Sequence, residues 1–334
     1  MWASPLGGYP RSRVVRRILR DYERGLVGYG DVEKVISEAS AAVIGAQVSA
    51  GLAYVVDGML DWHDIFRPFV ESWRNVTATG LLRYFDNNFF YRIPLFTGEP
   101  EVAKLVWPPR VRRFAPLAEP SGFKVVLPGP LTFTLMSINR SESSFEELSW
   151  AIARILASEA RASVEAGASM IQVDEPMLAD PDTSRDKARL AVELVNHIAS
   201  ASGNAKTVLS IYFDVPRHDV YEEVLNVKTT CISLDVVDAV DRALKLVESK
   251  GFGDHCVVLG LVNSRVIYDD PVDKLVELAS RILKFTSSEE VGVTTSTWLD
   301  LIPYSYSLRK TFLLGLLSMR ISERIGGELV REVG

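Results

Sequence analysis

The sequence predicts an α/β fold, a single-domain (β/α)8 barrel of the TIM type, on the basis of two observations. Short apolar segments rich in β-branched residues alternate with long amphipathic segments, which is the pattern of a parallel sheet with helical crossovers. Eight such short segments can be counted, and eight strands can close a barrel. The first ends at residue 6, and the others span residues 54–57, 124–127, 169–173, 207–212, 231–235, 255–261 and 291–295.

The segments between these strands begin and end as helices do. Asp31 can cap a helix after the first strand. An alanine-rich stretch over residues 145–166 stops at Gly167, and residues 304–329 predict a last helix. A doubly wound open sheet is the competing fold, but it predicts a GxGxxG turn after the first strand. Residues 7–10, Gly-Gly-Tyr-Pro, lack that spacing, so the barrel is favoured.

Between residues 74 and 122 this alternation gives way to an aromatic and proline-rich stretch that follows the second strand. Loops after the strands form the active-site face of such barrels, so the stretch can build or cover a pocket. An insertion that only packs against the domain is an equally good interpretation. We therefore describe residues 1–334 as one barrel domain with an insertion over residues 74–122.

Composition and charge narrow the classes of partner. The chain has 334 residues, of which 47% are hydrophobic, and its net charge of −6 disfavours nucleic acid and anionic membranes as partners. Cys231 and Cys256 lie in apolar segments without CxxC spacing, so we predict packed thiols rather than a disulfide framework or a cysteine metal cluster. This favours an intracellular, cytoplasmic protein that acts on a small molecule. No apolar run reaches the roughly 18 residues that span a bilayer.

The most specific chemical feature is a pair of adjacent carboxylates, Asp174 and Glu175, where the fourth predicted strand ends. Pro176 restrains Glu175 to an extended conformation. A charged pair that leaves an apolar strand needs a cation or water as its partner. Because the carboxyl end of the strand lies on the functional face of a barrel, both residues are candidate catalytic groups. The alternative is an exposed loop pair that caps the next helix.

A second acidic segment follows the second strand and contains Asp57, Asp61 and Asp64. Its carboxylates are of the kind that bind Mg²⁺ or Ca²⁺, although their spacing matches no calcium loop. A helix N-cap at Asp64 beside a solvated turn is the alternative that we favour. Asn87 and Asn88, in the aromatic stretch, can form either a turn or the polar wall of a pocket.

Six segments resemble the cobalamin-independent methionine synthase family, in the right order and over essentially the whole chain. They span residues 8–11, 51–58, 127–132, 173–178, 259–265 and 294–310, and include the sequences GYPR, LPGPLT and VDEPML. The resemblance implies a barrel that transfers a methyl group from a folate, or from a methyl-corrinoid, to the sulfur of homocysteine. In that family a zinc ion, held by a His-x-Cys pair, an acidic residue and a later cysteine, keeps the sulfur as a thiolate.

This chain departs from the zinc ligands that the resemblance implies. Ser210 and Tyr212 stand at the His-x-Cys positions, Ser296 stands near the last cysteine position, and only the acidic ligand, Asp235, is retained. One ligand cannot hold zinc, so we predict no bound metal. The glutamate that the family places after the second strand is Met59 here. This pattern resembles the zinc-less amino-terminal half of the two-barrel synthases, or a stand-alone homologue of it.

The residue patterns and the resemblance together define a candidate site, in which Asp174 is expected to contact the amino group of a bound amino acid, as in the family. The predicted catalytic residues are Asp174, Glu175 and Asp235. The predicted substrate-binding residues are Gly8, Arg11, Asp57, Asp61, Asn87, Asn88, Tyr212, Ser296 and Trp298. We expect one pocket at the carboxyl ends of the strands, lined by Asp57, Asp174, Tyr212, Asp235 and Ser296.

Three functions are compatible with these observations. The first is a methionine-synthase-type methyltransferase or its folate-binding component, with a folate or a methyl-corrinoid as methyl donor and homocysteine as acceptor. The second is a non-catalytic partner subunit of a second, zinc-bearing barrel. The third is a metal-free barrel enzyme similar to uroporphyrinogen decarboxylase. Each predicts a small-molecule ligand at the carboxyl ends of the strands or a second barrel as partner.

Overall fold

The structure, a computed structural model, describes residues 1–85, 87 and 89–333, and the side chains among them up to residue 325. The chain divides into two compact units. The first unit contains Met1–Asp61, Pro116–Gly122 and Leu234–Gly334, and the second contains Trp62–Ala115 and Phe123–Ser233. The chain therefore enters the second unit twice.

Eleven strands form in the described part of the chain. They are β1 (Trp2–Ala3), β2 (Tyr54–Val55), β3 (Trp73–Arg83), β4 (Phe90–Val102), β5 (Gly122–Pro128), β6 (Ile138–Asn139), β7 (Met170–Asp174), β8 (Lys206–Ile211), β9 (Cys231–Asp235), β10 (Cys256–Val262) and β11 (Val291–Thr295). Eight of them form one parallel sheet, a nearly closed barrel, in the order β1-β11-β10-β9-β8-β7-β5-β2. These are the eight predicted strands, so the predicted fold class is confirmed.

The barrel strands are buried on both faces. Every residue of β7, β9, β10 and β11 is buried, as expected where side chains point alternately into the barrel and toward surrounding helices. In the first unit the Ala53 amide donates a hydrogen bond to the Ala3 carbonyl at 3.0 Å. Ala53 immediately precedes β2 and Ala3 is the last residue of β1, so this bond links the first and the last strand of the sheet order.

Eleven α-helices accompany the strands in the described residues. They are α1 (Arg13–Glu23), α2 (Tyr29–Ser49), α3 (Arg67–Val70), α4 (Trp107–Phe114), α5 (Pro130–Leu135), α6 (Phe145–Glu165), α7 (Arg185–Ala201), α8 (His218–Val224), α9 (Val240–Lys250), α10 (Val272–Leu283) and α11 (Tyr304–Val333). None of these helices, over the residues described, is long and apolar enough to cross a bilayer.

Local capping explains where two predicted helices begin. The alanine-rich helix is α6, and it starts with a capping box: the Glu147 amide donates to Ser144 Oγ at 3.2 Å, and the Ser144 amide donates to the Glu147 carboxylate at 2.8 Å. Asp31 lies inside the first turn of α2 rather than at its N-cap, and its carboxylate accepts from the Gly28 amide at 3.1 Å. The predicted helix that runs toward Gly51 therefore forms and Asp31 helps to cap it, but its N-cap is Gly28, three residues before Asp31.

The aromatic and proline-rich stretch forms a long antiparallel hairpin in the second unit. β3 pairs with β4, and β6 pairs with the other edge of β4. Beneath the hairpin, Phe133 stacks on Trp73 with ring centroids 5.2 Å apart and contacts Phe66 at 4.8 Å. Such buried ring pairs stabilise the packing beyond the area that they bury. The single domain over residues 1–334 and its insertion over residues 74–122 stay predictions.

The state of the cysteines differs from the prediction. Cys231 and Cys256 are both disulfide-bonded, so the prediction of packed thiols is wrong, although both residues are buried as expected. Disulfide bonding depends on the distance between two Cα atoms in the folded chain, and the spacing of cysteines along the sequence does not report that distance. The two cysteines therefore do not indicate an intracellular compartment.

In the first unit, Gly315 allows α11 to approach the end of α2 closely. A Cβ atom at position 315 would overlap the carbonyl oxygen of Ala50. Gly45, in α2, is different, because no atom lies within 4 Å of the position that its Cβ would take. Gly45 therefore serves as the control for a substitution at Gly315, because both are helical glycines and only Gly315 is closely packed.

We expect Gly315→Ala to lower the free energy of unfolding by about 2 kcal/mol, because overpacking outweighs the better helix propensity of alanine. Gly45→Ala is the control and should raise the free energy of unfolding by about 0.5–1 kcal/mol. Urea unfolding of both variants measures these changes. Equal stabilisation by the two substitutions would contradict the close packing of α11 on α2.

Candidate functional site

The predicted site residues divide between the two units. The second unit contains Asn87, Asp174, Glu175 and Tyr212, and the first contains Gly8, Arg11, Asp57, Asp61, Asp235, Ser296 and Trp298. Asn88 lies outside the described residues. The five residues predicted to line one pocket stand at or just after the carboxyl ends of β2, β7, β8, β9 and β11. Their assembly into one pocket stays a prediction.

Asp174, the last residue of β7, lies in a buried hydrogen-bonded cluster of the second unit and is itself fully buried. Its Oδ1 accepts a hydrogen bond from Gln172 Nε2 at 2.6 Å, and its Oδ2 accepts one from the Tyr212 hydroxyl at 3.3 Å. Gln172 points to the same side as Asp174, because side chains two residues apart on a strand share a face. Tyr212 follows β8, which pairs with β7. Donors from two adjacent strands therefore orient the carboxylate.

Lys124 extends this cluster, and the sequence analysis did not identify it. Its Nζ donates to Gln172 Oε1 at 2.9 Å, and the residue is 1% exposed. Burial lowers the pKa of the Lys124 ammonium to about 7, against the effect of the Asp174 carboxylate, which raises it. The signal that could have found Lys124 is a lysine inside an otherwise apolar strand, because lysine is almost never fully buried unless paired.

The hairpin brings a second phenol to the cluster. Tyr84 follows β3, and its hydroxyl oxygen lies 3.4 Å from that of Tyr212. Burial raises the pKa of both phenols well above the ordinary value, and the Asp174 carboxylate raises them further. Both are therefore neutral at neutral pH. Phe213, next to Tyr212, has a φ of 76°, a left-handed conformation that is rare for a bulky residue and recurs at functional sites.

Glu175 is as deeply buried as Asp174 but makes different contacts. Its Oε1 accepts from the Leu131 amide at 2.9 Å, and its Oε2 accepts from the amide and the hydroxyl of Thr132 at 2.8 and 2.7 Å. These amides belong to the first turn of α5, so Glu175 caps that helix. A Cβ atom at Gly129 would overlap the Glu175 side chain, which explains the glycine of the LPGPLT sequence.

These contacts correct one interpretation of the carboxylate pair. An exposed loop pair is wrong, because Asp174 and Glu175 are both 0% exposed. Glu175 does cap a helix, but it caps α5, which precedes it in the chain. The catalytic role of the two residues stays a prediction.

In the first unit, Trp298 packs on the backbone of the Gly-Tyr-Pro-Arg turn. A Cβ atom at Gly7 or Gly8 would overlap the indole ring. The amide of Leu299 donates to the Gly8 carbonyl at 2.9 Å. The structure therefore brings together two predicted substrate-binding residues, Gly8 and Trp298, and explains why positions 7 and 8 are both glycine.

Arg11 lies in a charged cluster of the same unit. Its Nε donates to the Leu60 carbonyl at 2.8 Å. Burial lowers the pKa of Arg11, while the carboxylates of Asp61 and Asp300 raise it. Burial raises the pKa of Asp300 to about 7, against the effect of Arg11. Arg11 and Asp61, both predicted to bind substrate, thus share a cluster with Asp300, which sequence analysis missed.

Polar side chains of the acidic segment after β2, and Asn87 of the aromatic stretch, make local turn contacts. Asp57 Oδ1 accepts from the Met59 amide at 3.0 Å in the first unit. In the second unit, Asp64 Oδ1 accepts from the amides of Phe66 and Arg67 at 2.9 and 2.7 Å, just before α3. The N-cap of α3 is Phe66, and Asp57 and Asp64 are buried, so the predicted N-cap at Asp64 beside a solvated turn is wrong, although Asp64 accepts hydrogen bonds from two amides at the start of the helix. Asn87 is buried and its Nδ2 lies 3.5 Å from the Tyr84 carbonyl, a turn contact.

Asp235 and Ser296 lie on either side of Gly260 in the first unit. A Cβ at Gly260 would lie 3.1 Å from Asp235 Cα and 3.4 Å from Ser296 Cα. Asp235 Oδ1 accepts from the Asp238 amide at 3.3 Å, and no described residue hydrogen-bonds its buried Oδ2. Burial and then the Asp238 carboxylate raise the pKa of Asp235 well above its ordinary value. Ser296 Oγ lies 3.2 Å from Ser264 Oγ.

The residues at the four zinc positions of the resemblance do not fit a zinc ion. Zinc binds deprotonated cysteine, carboxylate or neutral imidazole. Ser210 and Ser296 offer neutral hydroxyls, Tyr212 is a phenol whose pKa is raised, and Asp235 is a carboxyl group whose pKa is raised. Among the residues that the structure describes, no three His, Cys, Asp or Glu side chains are grouped as metal ligands.

Two buried glutamates of the second unit link folding stability to pH. Glu159 Oε1 and Oε2 accept from the amides of Val106 and Trp107 at 2.6 and 3.1 Å. Burial raises the pKa of Glu159 to about 7, and it raises the pKa of Glu175 to about 7 as well. The ordinary value is 4.5, so both side chains bind a proton more tightly in the folded chain than in the unfolded one.

We expect the free energy of unfolding to fall as the pH rises from 5 to 8. A carboxyl group whose pKa is raised by folding stabilises the folded state fully below about pH 4.5. This contribution, on the order of 1–3 kcal/mol per group, disappears as the pH rises from about 4.5 to about 7. Glu159→Gln and Glu175→Gln should each flatten the fall in urea unfolding. Glu147→Gln is the control, since its exposed carboxylate has a lowered pKa. A fall of equal size in all three variants would contradict the assignment.

Solved structures share this fold. A B12-independent methionine synthase from a Shewanella species, solved in complex with selenomethionine, has a TM-score of 0.79 and 18% identity, covering 98% of this chain and 98% of its own. A putative vitamin-B12-independent methionine synthase from Listeria monocytogenes has a TM-score of 0.76 and 14% identity, covering 96% and 98%. At these identities the likeness shows the fold alone.

Relatives and a family model give the same assignment from sequence. The methionine synthase of Sulfurisphaera tokodaii is 25% identical over 331 residues, which cover 98% of this chain and 93% of the relative. That of Saccharolobus solfataricus is 25% identical over 319 residues, covering 91% and 90%. The model of the cobalamin-independent synthase N-terminal domain matches residues 67–287. Because that match spans more than half of the chain, the protein belongs to the cobalamin-independent methionine synthase family.

Proposed function

We propose that this barrel binds an amino acid of the homocysteine or methionine type by its amino group at Asp174, and takes part in methyl transfer to the homocysteine sulfur. One observation carries the proposal. A fully buried carboxylate at the carboxyl end of a barrel strand is held in a fixed orientation by donors from Gln172 and Tyr212. That end of the strands is where barrel enzymes bind their ligands.

The chemistry of Asp174 suits an ammonium ligand. A carboxylate offers only acceptors, so it can pair with the three donors of an ammonium group. Charge-assisted hydrogen bonds to ammonium are stronger than neutral ones. The Shewanella neighbour was solved with selenomethionine, an amino acid of the proposed type. The resemblance assigns the same contact to Asp174.

Met59 sets the expected affinity. The family resemblance places a glutamate there, whereas this chain has a buried methionine in a left-handed conformation, with φ of 49°. Its amide donates to Asp57, so the turn is well formed without a carboxylate at position 59. A single carboxylate at the amino group holds it less firmly than two, so we expect weak binding by the isolated chain.

A second function, that of a partner subunit for a zinc-bearing barrel, is favoured by Tyr212. This residue stands at a zinc position of the resemblance, yet it is a buried neutral phenol whose hydroxyl donates to Asp174. A chain without zinc ligands cannot itself lower the pKa of a thiol through zinc. In this case the barrel would supply a folate-binding or docking surface, in the cytoplasm, and the second barrel would hold the thiolate. The methyl donor is a folate or a methyl-corrinoid in either case.

Calorimetric titration with methionine and homocysteine tests the site. We expect dissociation constants near 1 mM, and Asp174→Asn should weaken binding about tenfold or more, because it removes a charge-assisted hydrogen bond. Asp182→Asn, an exposed aspartate in the following loop, is the matched control and should leave binding unchanged. Homocysteine binding that survives Asp174→Asn would show that another residue holds the amino group.

Metal analysis tests the absence of a zinc site. The purified protein should contain well under one zinc per chain, because hydroxyl groups replace the soft donors that supply most zinc affinity. Titration with a folate polyglutamate, in the same preparation, then separates the two functions. Folate binding without amino-acid binding supports the function of a partner subunit. A content of about one zinc per chain would contradict the absence of a zinc site, which both proposed functions assume.

A further inference from the structure

Lys124 is a buried lysine that amino-acid binding at Asp174 does not by itself require. We propose that Lys124 is the internal counter-ion of Asp174, and that the ammonium group of the ligand replaces it while Lys124 Nζ releases its proton to solvent. The second half of this inference rests on the proposed function. The first half concerns the free protein and can be tested without a ligand.

The orientation of Gln172 connects the two charges. Lys124 Nζ has only donors to offer, so at 2.9 Å it must face the oxygen of the Gln172 amide. This directs the amide nitrogen to Asp174 Oδ1 at 2.6 Å, as a donor. Lys124 thereby fixes the orientation of the Gln172 amide. As a result, the Asp174 carboxylate faces the NH2 donor of that amide and not its oxygen.

Burial makes a counter-ion necessary. Lys124 is 1% exposed and Asp174 is 0% exposed, and an isolated buried charge is far more costly than a paired one. Glu175, Tyr84 and Tyr212 each face Asp174 and are acids. Lys124 is the cation whose charge the Asp174 carboxylate stabilises.

Ligand binding changes this balance. An ammonium group at Asp174 would place two positive charges against one carboxylate in a buried site. Because burial has already lowered the pKa of Lys124 to about 7, this amine can lose its proton at little further cost at neutral pH. The net charge of the site is then unchanged by binding. A ligand that lacks the amino group has no reason to displace the proton.

The first experiment uses the free protein and carbon-13-labelled lysine. The Cε signal that is missing from Lys124→Met is assigned to Lys124 and titrated with pH in the wild type and in Asp174→Asn. We expect its pKa to fall by at least one in Asp174→Asn, since the counter-ion charge is gone. An unchanged pKa overturns the counter-ion assignment, whatever ligands the protein binds.

A thermal unfolding cycle gives a second measurement. Lys124→Met should lower the melting temperature sharply, because it leaves Asp174 charged and unpaired. Adding Asp174→Asn should restore at least half of the lost melting temperature. If Lys124→Met alone does not fold, a double variant that folds gives the same result. Lys228→Met, an exposed lysine of the same unit, is the control and should change little. Strictly additive losses would contradict the pairing.

Calorimetry in buffers of different ionisation enthalpy tests the displacement. At pH 7 methionine should release about half a proton per molecule bound, since Lys124 is then about half protonated. The 2-hydroxy analogue of methionine should release none. Methionine binding without proton release overturns the displacement. If neither methionine nor homocysteine binds, the proposed function fails, and the lysine titration still decides the counter-ion assignment.

Discussion

The burial of two adjacent carboxylates at the end of β7 is the constraint on which the second unit depends. Asp174 and Glu175 leave a strand that is apolar and completely covered, so each must find hydrogen-bond donors inside the protein. Glu175 takes the amides that begin α5, and Asp174 takes the side chains of Gln172 and Tyr212. Much of the surrounding sequence is explained by these two requirements.

The two carboxylates have different uses because their donors differ. Glu175 is held by backbone amides, which cannot move without unfolding α5, so it fixes the loop after β5 and requires a glycine at Gly129. Asp174 accepts hydrogen bonds from the side chains of Gln172 and Tyr212, and side chains can rearrange around a ligand. A rigid cap beside an adjustable acceptor is a suitable arrangement for a binding site, since the backbone stays fixed while the charge pairing changes.

Family membership and local chemistry agree on the barrel, whereas the zinc ligands that the resemblance implies are replaced in this chain. The family match covers residues 67–287, and the fold neighbours are methionine synthases. Yet Tyr212, at a position where the resemblance implies a zinc ligand, is instead a donor to Asp174, with Tyr84 from the hairpin behind it. The chain thus has the scaffold of the family, and the residue at the position that the resemblance assigns to a zinc ligand hydrogen-bonds to a carboxylate.

The sequence by itself determined the barrel, because the eight strands are short apolar runs and the stretches between them have helical patterns, such as the alanine-rich one that stops at Gly167. It also placed Asp174 and Tyr212 at strand ends, since strand boundaries are local properties. Only the tertiary structure decided their partners. Lys124 lies about fifty positions before Asp174 in the sequence, and its link to Asp174 through Gln172 depends on which strands become neighbours in the sheet.

The contacts of the hairpin and of the cysteines likewise could not be predicted from the sequence. Aromatic content marked residues 74–122 as unusual, but the approach of Tyr84 to Tyr212 depends on how the hairpin folds back. The disulfide bonding of Cys231 and Cys256 was likewise invisible from their spacing. Local patterns fix backbone conformation because they act within a few residues, whereas pairing of side chains across a sheet depends on distances that exist only once the chain has folded.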